Sequence, residues 1–281
     1  LSFPLLVNVS GDVYFSSVYS ESAELPSLRN VAGSVTFQNV EFETIELPSL
    51  CNVGGTVDFG GLYYTSLVRL PALTTVGGTF EVRYMCYYWE CYYYATSHGI
   101  DIDRLESVGS DFELYYDQYL TSVNASALQS VGGIFYIYGA GALTELTFES
   151  LAYVGSYFKI RYCWVLVAAY FNNLATIGSS GSYYSSTSCG VSGDNENLCV
   201  YDNNALETIS FRSLDYDSAD IAISAGACAI FDGFSSLSCG GVPVTNNATC
   251  YGDVTLVSAA VVACNGRHLF DASGLVEITG D

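Results

Sequence analysis

The sequence is poor in basic residues. Of its 281 residues only eight are Lys or Arg, against 29 Asp or Glu, so the formal net charge at pH 7 is −21. A surface this acidic repels polyanions such as DNA, RNA and an acidic membrane face. We therefore expect no nucleic-acid partner.

Long apolar runs are also missing. The longest, at 164–171 and 254–264, are shorter than the roughly 18 residues that a membrane-spanning helix needs, so no membrane span is predicted. Half of the residues are nevertheless hydrophobic and only 13% are charged, which excludes a disordered chain and predicts a substantial core.

Histidine is scarce, and this limits the chemistry available to the chain. There are two histidines, and the G-x-S-x-G, Walker A, G-x-G-x-x-G and H-E-x-x-H patterns are absent. A His-based triad or a multi-His metal site is therefore not expected. Two carboxylate pairs, Asp101/Asp103 and Glu81/Glu113, are interpreted as solvated surface rather than as the acid and base of a glycosidase. The sequence predicts that this protein is not an enzyme.

A repeat of about 23 residues dominates what is present. Each copy contains a Leu, then a Val, then small residues that are often a Gly pair, as in Leu47-Pro-Ser-Leu50 to Val53-Gly-Gly55. The Val or its substitute, here called the anchor, recurs at intervals of 22, 22, 23, 32, 23, 23 and 23 residues. The anchors are Val9, Val31, Val53, Val76, Val108, Val131, Val154 and Ile177. A ninth copy contains Ile209, Phe211, Leu214, Ile221 and Ile223.

The repeat predicts the fold. Apolar residues after each anchor alternate with period two, which is the spacing of a β-strand. A coil of this size cannot close its own core, so successive coils must stack and pair their strands in parallel. We therefore expect an all-β parallel β-solenoid of about nine coils of 22–23 residues over 1–224, with insertions near 84–99 and 181–203. At the usual strand spacing this rod is roughly 40 Å long.

The repeat resembles the receptor L-domain family, which is related to the leucine-rich repeats. Its copies also run Leu-x-x-Leu, Val or Ile, Gly-Gly and alternating apolar residues, and the resemblance covers 1–224. The resemblance implies a right-handed β-solenoid on an extracellular surface glycoprotein, with a role in recognition. It does not identify a ligand.

Ten cysteines favour an oxidising, extracellular compartment. Four of them follow the repeats and predict a small stapled subdomain at 225–281, with three alternative connectivities. One pair within each insertion could staple that insertion. Cys51 and Cys163 are five coils apart, roughly 24 Å, which is too far for a mutual disulfide. Either Cys163 reaches the neighbouring insertion, or at least one of the two thiols is buried or bonds another chain. The predicted disulfide residues are Cys86, Cys91, Cys189, Cys199, Cys228, Cys239, Cys250 and Cys264.

Two further features favour a secreted glycoprotein. The chain has no initiator Met and no leader, which suggests a processed mature product. Three sequons predict glycosylation at Asn8, Asn124 and Asn247. Acidic clusters near 194–196 and at 215–220 could hold a structural Ca²⁺, the alternative being turns and caps, and no other cofactor is expected. The predicted calcium ligands are Asp215, Asp217 and Asp220.

Tyrosine is unusually abundant, with 24 residues, many at outward strand positions or in the first insertion. An exposed aromatic patch usually marks an interface. Two alternatives are that the insertion folds back over the rod, and that the rings stack on sugars. The predicted interface residues are Tyr84, Tyr87, Tyr88, Trp89, Tyr92, Tyr93, Tyr94, Tyr115, Tyr116, Tyr136 and Tyr138.

Two functions follow from these features. The first is a secreted structural glycoprotein that assembles head-to-tail with copies of itself into an extracellular filament or surface coat. It is favoured because the first coil, with Leu1, Phe3, Leu5 and Val7, lacks a polar cap. The second is a cell-surface recognition or adhesion ectodomain that binds another extracellular protein or a glycan through its tyrosine-rich face.

Overall fold

The computed structural model confirms the predicted fold class. It describes residues 2–20, 22–62, 65–84, 98–178, 198–201, 203, 205–206, 208–211, 213, 221–223, 228–232, 252–257, 260–265 and 268–270. These residues form 29 strands in four sheets. None of them belongs to a helix long and apolar enough to cross a membrane.

The anchors form an eight-stranded parallel sheet, in which each anchor lies beside the next, as Val9 does beside Val31. Eight anchor strands enclose seven complete turns of the solenoid. The strands are, in spatial order, β1 (Asn8–Val9), β4 (Asn30–Val31), β7 (Asn52–Val53), β10 (Thr75–Val76), β13 (Ser107–Val108), β16 (Ser130–Val131), β19 (Tyr153–Val154) and β22 (Thr176–Ile177).

The strands that follow the anchors form a nine-stranded parallel sheet. The ninth copy joins it, because Ile221 and Ile223 pair with Leu198 and Val200. The strands are β2 (Val13–Ser16), β5 (Val35–Val40), β8 (Val57–Leu62), β11 (Phe80–Arg83), β14 (Phe112–Tyr115), β17 (Phe135–Tyr138), β20 (Phe158–Arg161), β23 (Leu198–Tyr201) and β25 (Ile221–Ile223).

The third side of the rod is divided between two sheets. A five-stranded parallel sheet contains β15 (Leu120–Asn124), β12 (His98–Asp101), β9 (Leu67–Arg69), β6 (Thr44–Glu46) and β3 (Ser22–Glu24). A seven-stranded sheet contains β18 (Glu145–Thr147), β21 (Ala168–Tyr170), β24 (Thr208–Phe211), β26 (Cys228–Asp232), β28 (Ala260–Asn265), β27 (Gly252–Val257) and β29 (His268–Phe270).

The strand bounds refine the predicted segments. β12 begins within the range assigned to the first insertion, and β23 lies within the range assigned to the second. Both nevertheless pair with regular strands of neighbouring coils. β26 pairs in parallel with β24, so the sheet continues past residue 224, and β28 then pairs antiparallel to β26. Parallel stacking on the solenoid sheet therefore continues as far as β26, inside the predicted C-terminal subdomain.

Phenylalanine rings from successive coils stack in a column inside the core. Phe112 and Phe135 stack with centroids 5.3 Å apart, and Phe135 and Phe158 stack at 4.9 Å. All three side chains are fully buried. Burying one such ring contributes about 1.5–3 kcal/mol, so the column is a major source of the rod's stability.

The regular position of glycine in the repeat has a steric cause. A Cβ on Gly109 would overlap the carbonyl oxygen of Gly77, the equivalent residue of the preceding coil. The second glycine leaves room for a side chain of the preceding coil. At Gly33 this side chain is Asp12, whose Oδ1 accepts a hydrogen bond of 2.7 Å from the backbone N–H of Ser34. Glycine thus allows the coils to approach at this corner.

Candidate interaction surface

The outward side chains of the nine-stranded sheet stand in columns. In β14 the side chains of Phe112 and Leu114 are buried, whereas Glu113 and Tyr115 are half-buried and face outward. Parallel register repeats this pattern from coil to coil. The first column contains Asp58, Glu81, Glu113, Tyr136 and Lys159. The second column contains Gly60, Arg83, Tyr115, Tyr138 and Arg161.

The chain turns a corner directly after these strands, and it does so with a positive φ. Tyr84, Tyr116 and Tyr162 have φ of 51°, 53° and 56°. A left-handed conformation costs an L-residue about 1–2 kcal/mol, so tyrosine is an unexpected choice there. The equivalent position in the intervening coil is Gly139, where a Cβ would lie 3.3 Å from Cδ1 of Tyr116. The corner thereby supplies a third column of aromatic rings.

These columns merge into one continuous aromatic surface. Tyr84 stacks on Tyr116 with centroids 5.5 Å apart, and Tyr115 stacks on Tyr138 at 5.0 Å. The hydroxyl of Tyr116 donates a hydrogen bond of 3.2 Å to that of Tyr138. Tyr138 also meets Tyr162 edge-on at 5.1 Å. We call this feature the tyrosine surface, comprising Tyr84, Tyr115, Tyr116, Tyr136, Tyr138, Tyr162 and Trp164.

Stacking covers one face of each ring in the pairs Tyr84–Tyr116 and Tyr115–Tyr138. Trp164, at the far end of the surface, is exposed by 52%. Burial, followed by the neighbouring tyrosines, raises the pKa of Tyr115 and of Tyr136. These hydroxyls therefore stay protonated at neutral pH and can donate hydrogen bonds to a partner.

Carboxylates lie at one end of the tyrosine surface. Arg83 is bound there by two acids, with Nη2 3.0 Å from Asp58 Oδ2 and Nε 3.3 Å from Glu81 Oε1. Burial, and then the charges of Glu81 and Asp111, raise the pKa of Glu113 to about 7. This end is negative overall, because one arginine is outnumbered by four acids.

Cations lie at the other end. The ammonium group of Lys159 is 4.7 Å from the centroid of the Tyr157 ring. The guanidinium of Arg161 is 4.5 Å from the centroid of Tyr162 and donates a hydrogen bond of 2.9 Å to its hydroxyl. Cation–π contacts of this kind hold both charges against the rings.

The structure brings together five of the predicted interface residues. These are Tyr84, Tyr115, Tyr116, Tyr136 and Tyr138. The predicted members Tyr87, Tyr88, Trp89, Tyr92, Tyr93 and Tyr94 lie outside the described residues. Sequence reasoning missed Tyr162, Trp164 and the two cations of β20. Tyr162 could have been found, because it follows Gly139 by 23 residues and Tyr116 by 46.

At the first coil, Phe3, Leu5 and Val7 are exposed by 45%, 89% and 40%. Leu1, which was predicted to join them, lies outside the described residues. Of the predicted glycosylation sites, Asn8 and Asn124 are exposed, and Asn247 lies outside the described residues.

The predicted calcium ligands Asp215, Asp217 and Asp220 also lie outside the described residues. Within the residues that the structure describes, no group of three or more His, Cys, Asp or Glu side chains is placed to hold a metal ion.

The cysteines have three different outcomes. Cys51 and Cys163 are free thiols, half-buried and buried, which agrees with one of the two alternatives, that at least one of these thiols is buried. Cys199, Cys228 and Cys264 lie in strands, and the antiparallel register places residue 228 opposite residue 264. The remaining predicted disulfide residues, Cys86, Cys91, Cys189, Cys239 and Cys250, lie outside the described residues.

A separate groove of about 470 Å³ follows the eight-stranded sheet. Its floor is the glycine corner, and Asn52, Thr75, Ser107, Ser130 and Tyr153 line its wall. No charged side chain lines it, so it does not contribute to the charged interaction surface described above.

Comparison with protein-family models, with curated proteins and with solved structures finds no match to this chain. The resemblance to receptor L domains therefore stays a prediction.

Proposed function

We propose that this chain is an extracellular scaffold whose rigid solenoid presents the tyrosine surface to a protein partner. The observation that carries the proposal is the contact network itself: seven aromatic side chains from four consecutive coils pack together on the outside of the rod. Tyr, Trp and Arg are the residues most enriched at protein interfaces and in their hot spots. Rings that are already ordered lose little further conformational freedom on binding.

The geometry favours a protein over a glycan as the partner. A sugar ring stacks on an open aromatic face, whereas the faces of Tyr84, Tyr115, Tyr116 and Tyr138 are engaged with one another. The tyrosine hydroxyls can form hydrogen bonds with a polar protein surface.

The positions of the two exposed sequons are compatible with this role. Asn8 lies on the eight-stranded sheet and Asn124 on the five-stranded sheet. Glycans at these sites would therefore leave the nine-stranded sheet uncovered. The cysteine content supports an extracellular location.

The test is a binding comparison with a matched control. The double variant Tyr116→Ser/Tyr138→Ser removes the hydrogen-bonded pair at the centre of the surface. Tyr14→Ser removes an exposed tyrosine from the same sheet, three coils away from Tyr84. Labelled chains are applied to extracellular material of the organism that makes the protein, and the bound fraction is measured.

We expect at least a tenfold loss of affinity for the double variant and no change for Tyr14→Ser. Equal binding by the double variant and the original chain, with both folded, would remove the proposal.

A second candidate function is head-to-tail assembly into a filament or coat. It is supported by Phe3, Leu5 and Val7 of the first coil, whose apolar side chains are exposed. Exposed apolar side chains favour contact with another chain. Leu5→Asp is expected to abolish filaments seen by negative-stain microscopy, and Val165→Asp, which changes an exposed valine in a later coil, is expected to leave them intact.

A further inference from the structure

The tyrosine surface carries opposite charges at its two ends along the rod axis. The first outward column runs in register from Asp58 through Glu81 and Glu113 to Tyr136 and finally Lys159. The acidic and basic ends are therefore separated by tyrosine. Lys159 is the only lysine in the sequence, and it lies on this surface in a chain of net charge −21.

We propose that the partner of the tyrosine surface is a second copy of this chain, packed face to face with its rod antiparallel to the first. The inference rests on the proposed function, because it names the partner of the same surface. Such a dimer is isologous: a two-fold axis parallel to the strands passes between β14 and β17. The axis brings the acidic end of each copy against the basic end of the other.

The register makes the match specific. β11 and β20 lie at equal distances from the axis, one strand beyond β14 and β17 respectively. Glu81 of one copy therefore faces Lys159 of the other, and Glu113 faces Tyr136, whose protonated hydroxyl can donate to a carboxylate.

The second column completes the contact. Tyr115 of one copy faces Tyr138 of the other, so the centre of the interface is aromatic and its ends are charged. Arg83 faces Arg161 of the second copy, but the charge of Arg83 is already balanced by Asp58 and Glu81.

The alternative orientation is unfavourable. With the rods parallel, the two-fold axis runs along the rod and each coil faces its own equivalent, so the strand β20 that carries both cations meets β20 and the acidic ends also meet each other. Like charges that approach across an interface repel each other, which disfavours this packing. Antiparallel packing replaces both repulsions with attractions.

The first experiment is zero-length cross-linking with a carbodiimide, which joins a lysine amine to a carboxylate in contact with it. An equimolar mixture of isotopically light and heavy chains is treated and digested. We expect a mixed-isotope peptide that joins Lys159 to Glu81 or Glu113. Cross-linking confined to other sites, or absence of any dimer at the highest soluble concentration, would overturn the proposal.

The second experiment is a charge exchange measured by sedimentation. Lys159→Glu/Arg161→Glu makes both ends of the surface acidic, and Glu81→Lys/Glu113→Lys makes both ends basic. Each variant alone is expected to dimerise at least tenfold more weakly than the original chain. An equimolar mixture of the two is expected to dimerise again, because each copy then faces the opposite charge.

A matched control reverses two exposed charges on another sheet. Glu24→Lys/Glu46→Lys alters β3 and β6, on the five-stranded sheet, and is expected to leave dimerisation unchanged. The folded state of every variant is checked by its melting curve. If the lysine variant does not fold, Glu81→Gln/Glu113→Gln takes its place and is expected to weaken the dimer severalfold. A mixture of folded charge variants that stays monomeric would overturn the proposal.

The two proposals fail in different ways. If the original chain is monomeric but Tyr116→Ser/Tyr138→Ser still loses binding to extracellular material, the surface serves a different partner and only the dimer is wrong. If that double variant binds and dimerises like the original chain, the tyrosine surface is not an interface and both are wrong.

Discussion

His98 Nδ1 lies 3.0 Å from Oδ1 of Asp117, and both side chains are almost completely buried. Because a carboxylate only accepts hydrogen bonds, the imidazole is the donor. Asp117 also accepts a hydrogen bond of 3.0 Å from the backbone N–H of Tyr119. His98 begins β12, the strand that follows the first insertion, so the pair fixes the point at which the chain rejoins the solenoid.

Asp117→Ala is expected to destabilise the protein by about 3–5 kcal/mol, the cost of breaking a buried hydrogen-bonded pair. Urea unfolding measures this change. Asp101→Ala is the control, because it breaks a surface pair with Arg69 and is expected to cost about 1 kcal/mol or less. Equal losses for the two variants would show that the buried pair does not anchor the coil.

Glu113→Gln is expected to flatten the pH dependence of stability. In the folded chain Glu113 has a pKa of about 7, raised from 4.5 by burial and by Glu81 and Asp111, against which Arg83 acts in the opposite direction. At pH values between 4.5 and about 7, the Glu113 carboxyl is protonated in the folded chain and ionised in the unfolded chain. The stability that this carboxyl contributes is therefore fully present below the unfolded pKa and is lost as the pH rises through about 7.

Chemical denaturation at pH 5.5 and 8 tests this prediction. After allowance for partial exposure, we expect Glu113→Gln to remove about 1 kcal/mol of the stability difference between the two pH values. Glu46→Gln, on an exposed strand position, serves as the control. An unchanged difference in the Glu113 variant would contradict the prediction.

Gly109→Ala is expected to destabilise the solenoid by about 2–4 kcal/mol, because the added Cβ meets backbone rather than a side chain that can move. Gly11→Ala is the matched control, since no heavy atom lies within 4 Å of the Cβ it would add. We expect it to be neutral or slightly stabilising. Thermal unfolding compares the two, and similar melting temperatures would argue against the steric role of the glycine corner.

The two free thiols are expected to differ in reactivity. Burial raises the pKa of the Cys163 thiol to about 12 and removes it from solvent, so the thiolate that reacts with iodoacetamide is absent in the folded chain. Cys51 is half-buried and is expected to be labelled. Mass spectrometry of native and urea-treated protein checks this. Rapid labelling of Cys163 without denaturant would contradict it.

The C-terminal disulfides are expected to include Cys228–Cys264. The backbone register places these residues directly opposite in an antiparallel pair, where Cα atoms are about 4.5–5.5 Å apart and within the range of a disulfide. Non-reducing peptide mapping tests the pairing, and a bond from Cys228 to Cys239 or Cys250 would exclude it.

The solenoid was predictable because parallel stacking leaves a direct trace in sequence. When Val53 lies beside Val76 and Phe59 beside Val82, residues one period apart occupy the same environment and keep the same character. The period therefore gave the register of the two main sheets without any knowledge of the structure.

Other features were not accessible in this way. Strand β23 could not be placed by counting, because it lies within the range assigned to the second insertion. Tyr84, Tyr116 and Tyr162 occupy a left-handed corner that sequence patterns assign to Gly or Asn, which concealed the third aromatic column. The His98–Asp117 pair was concealed because the equivalents of Asp117 in the next two coils, Ala140 and Cys163, are buried and apolar. Only the folded chain brings His98 and Asp117 together.

The corner after the nine-stranded sheet also determines where the rod tolerates new sequence. Thirteen residues, 85–97, separate Tyr84 from His98 in the sequence, yet Phe80 and Phe112 on either side of them are directly paired. A foreign peptide inserted after an equivalent corner, such as Gly139, is therefore expected to leave the pairing of the flanking strands intact. The solenoid could in this way present epitopes at fixed separations.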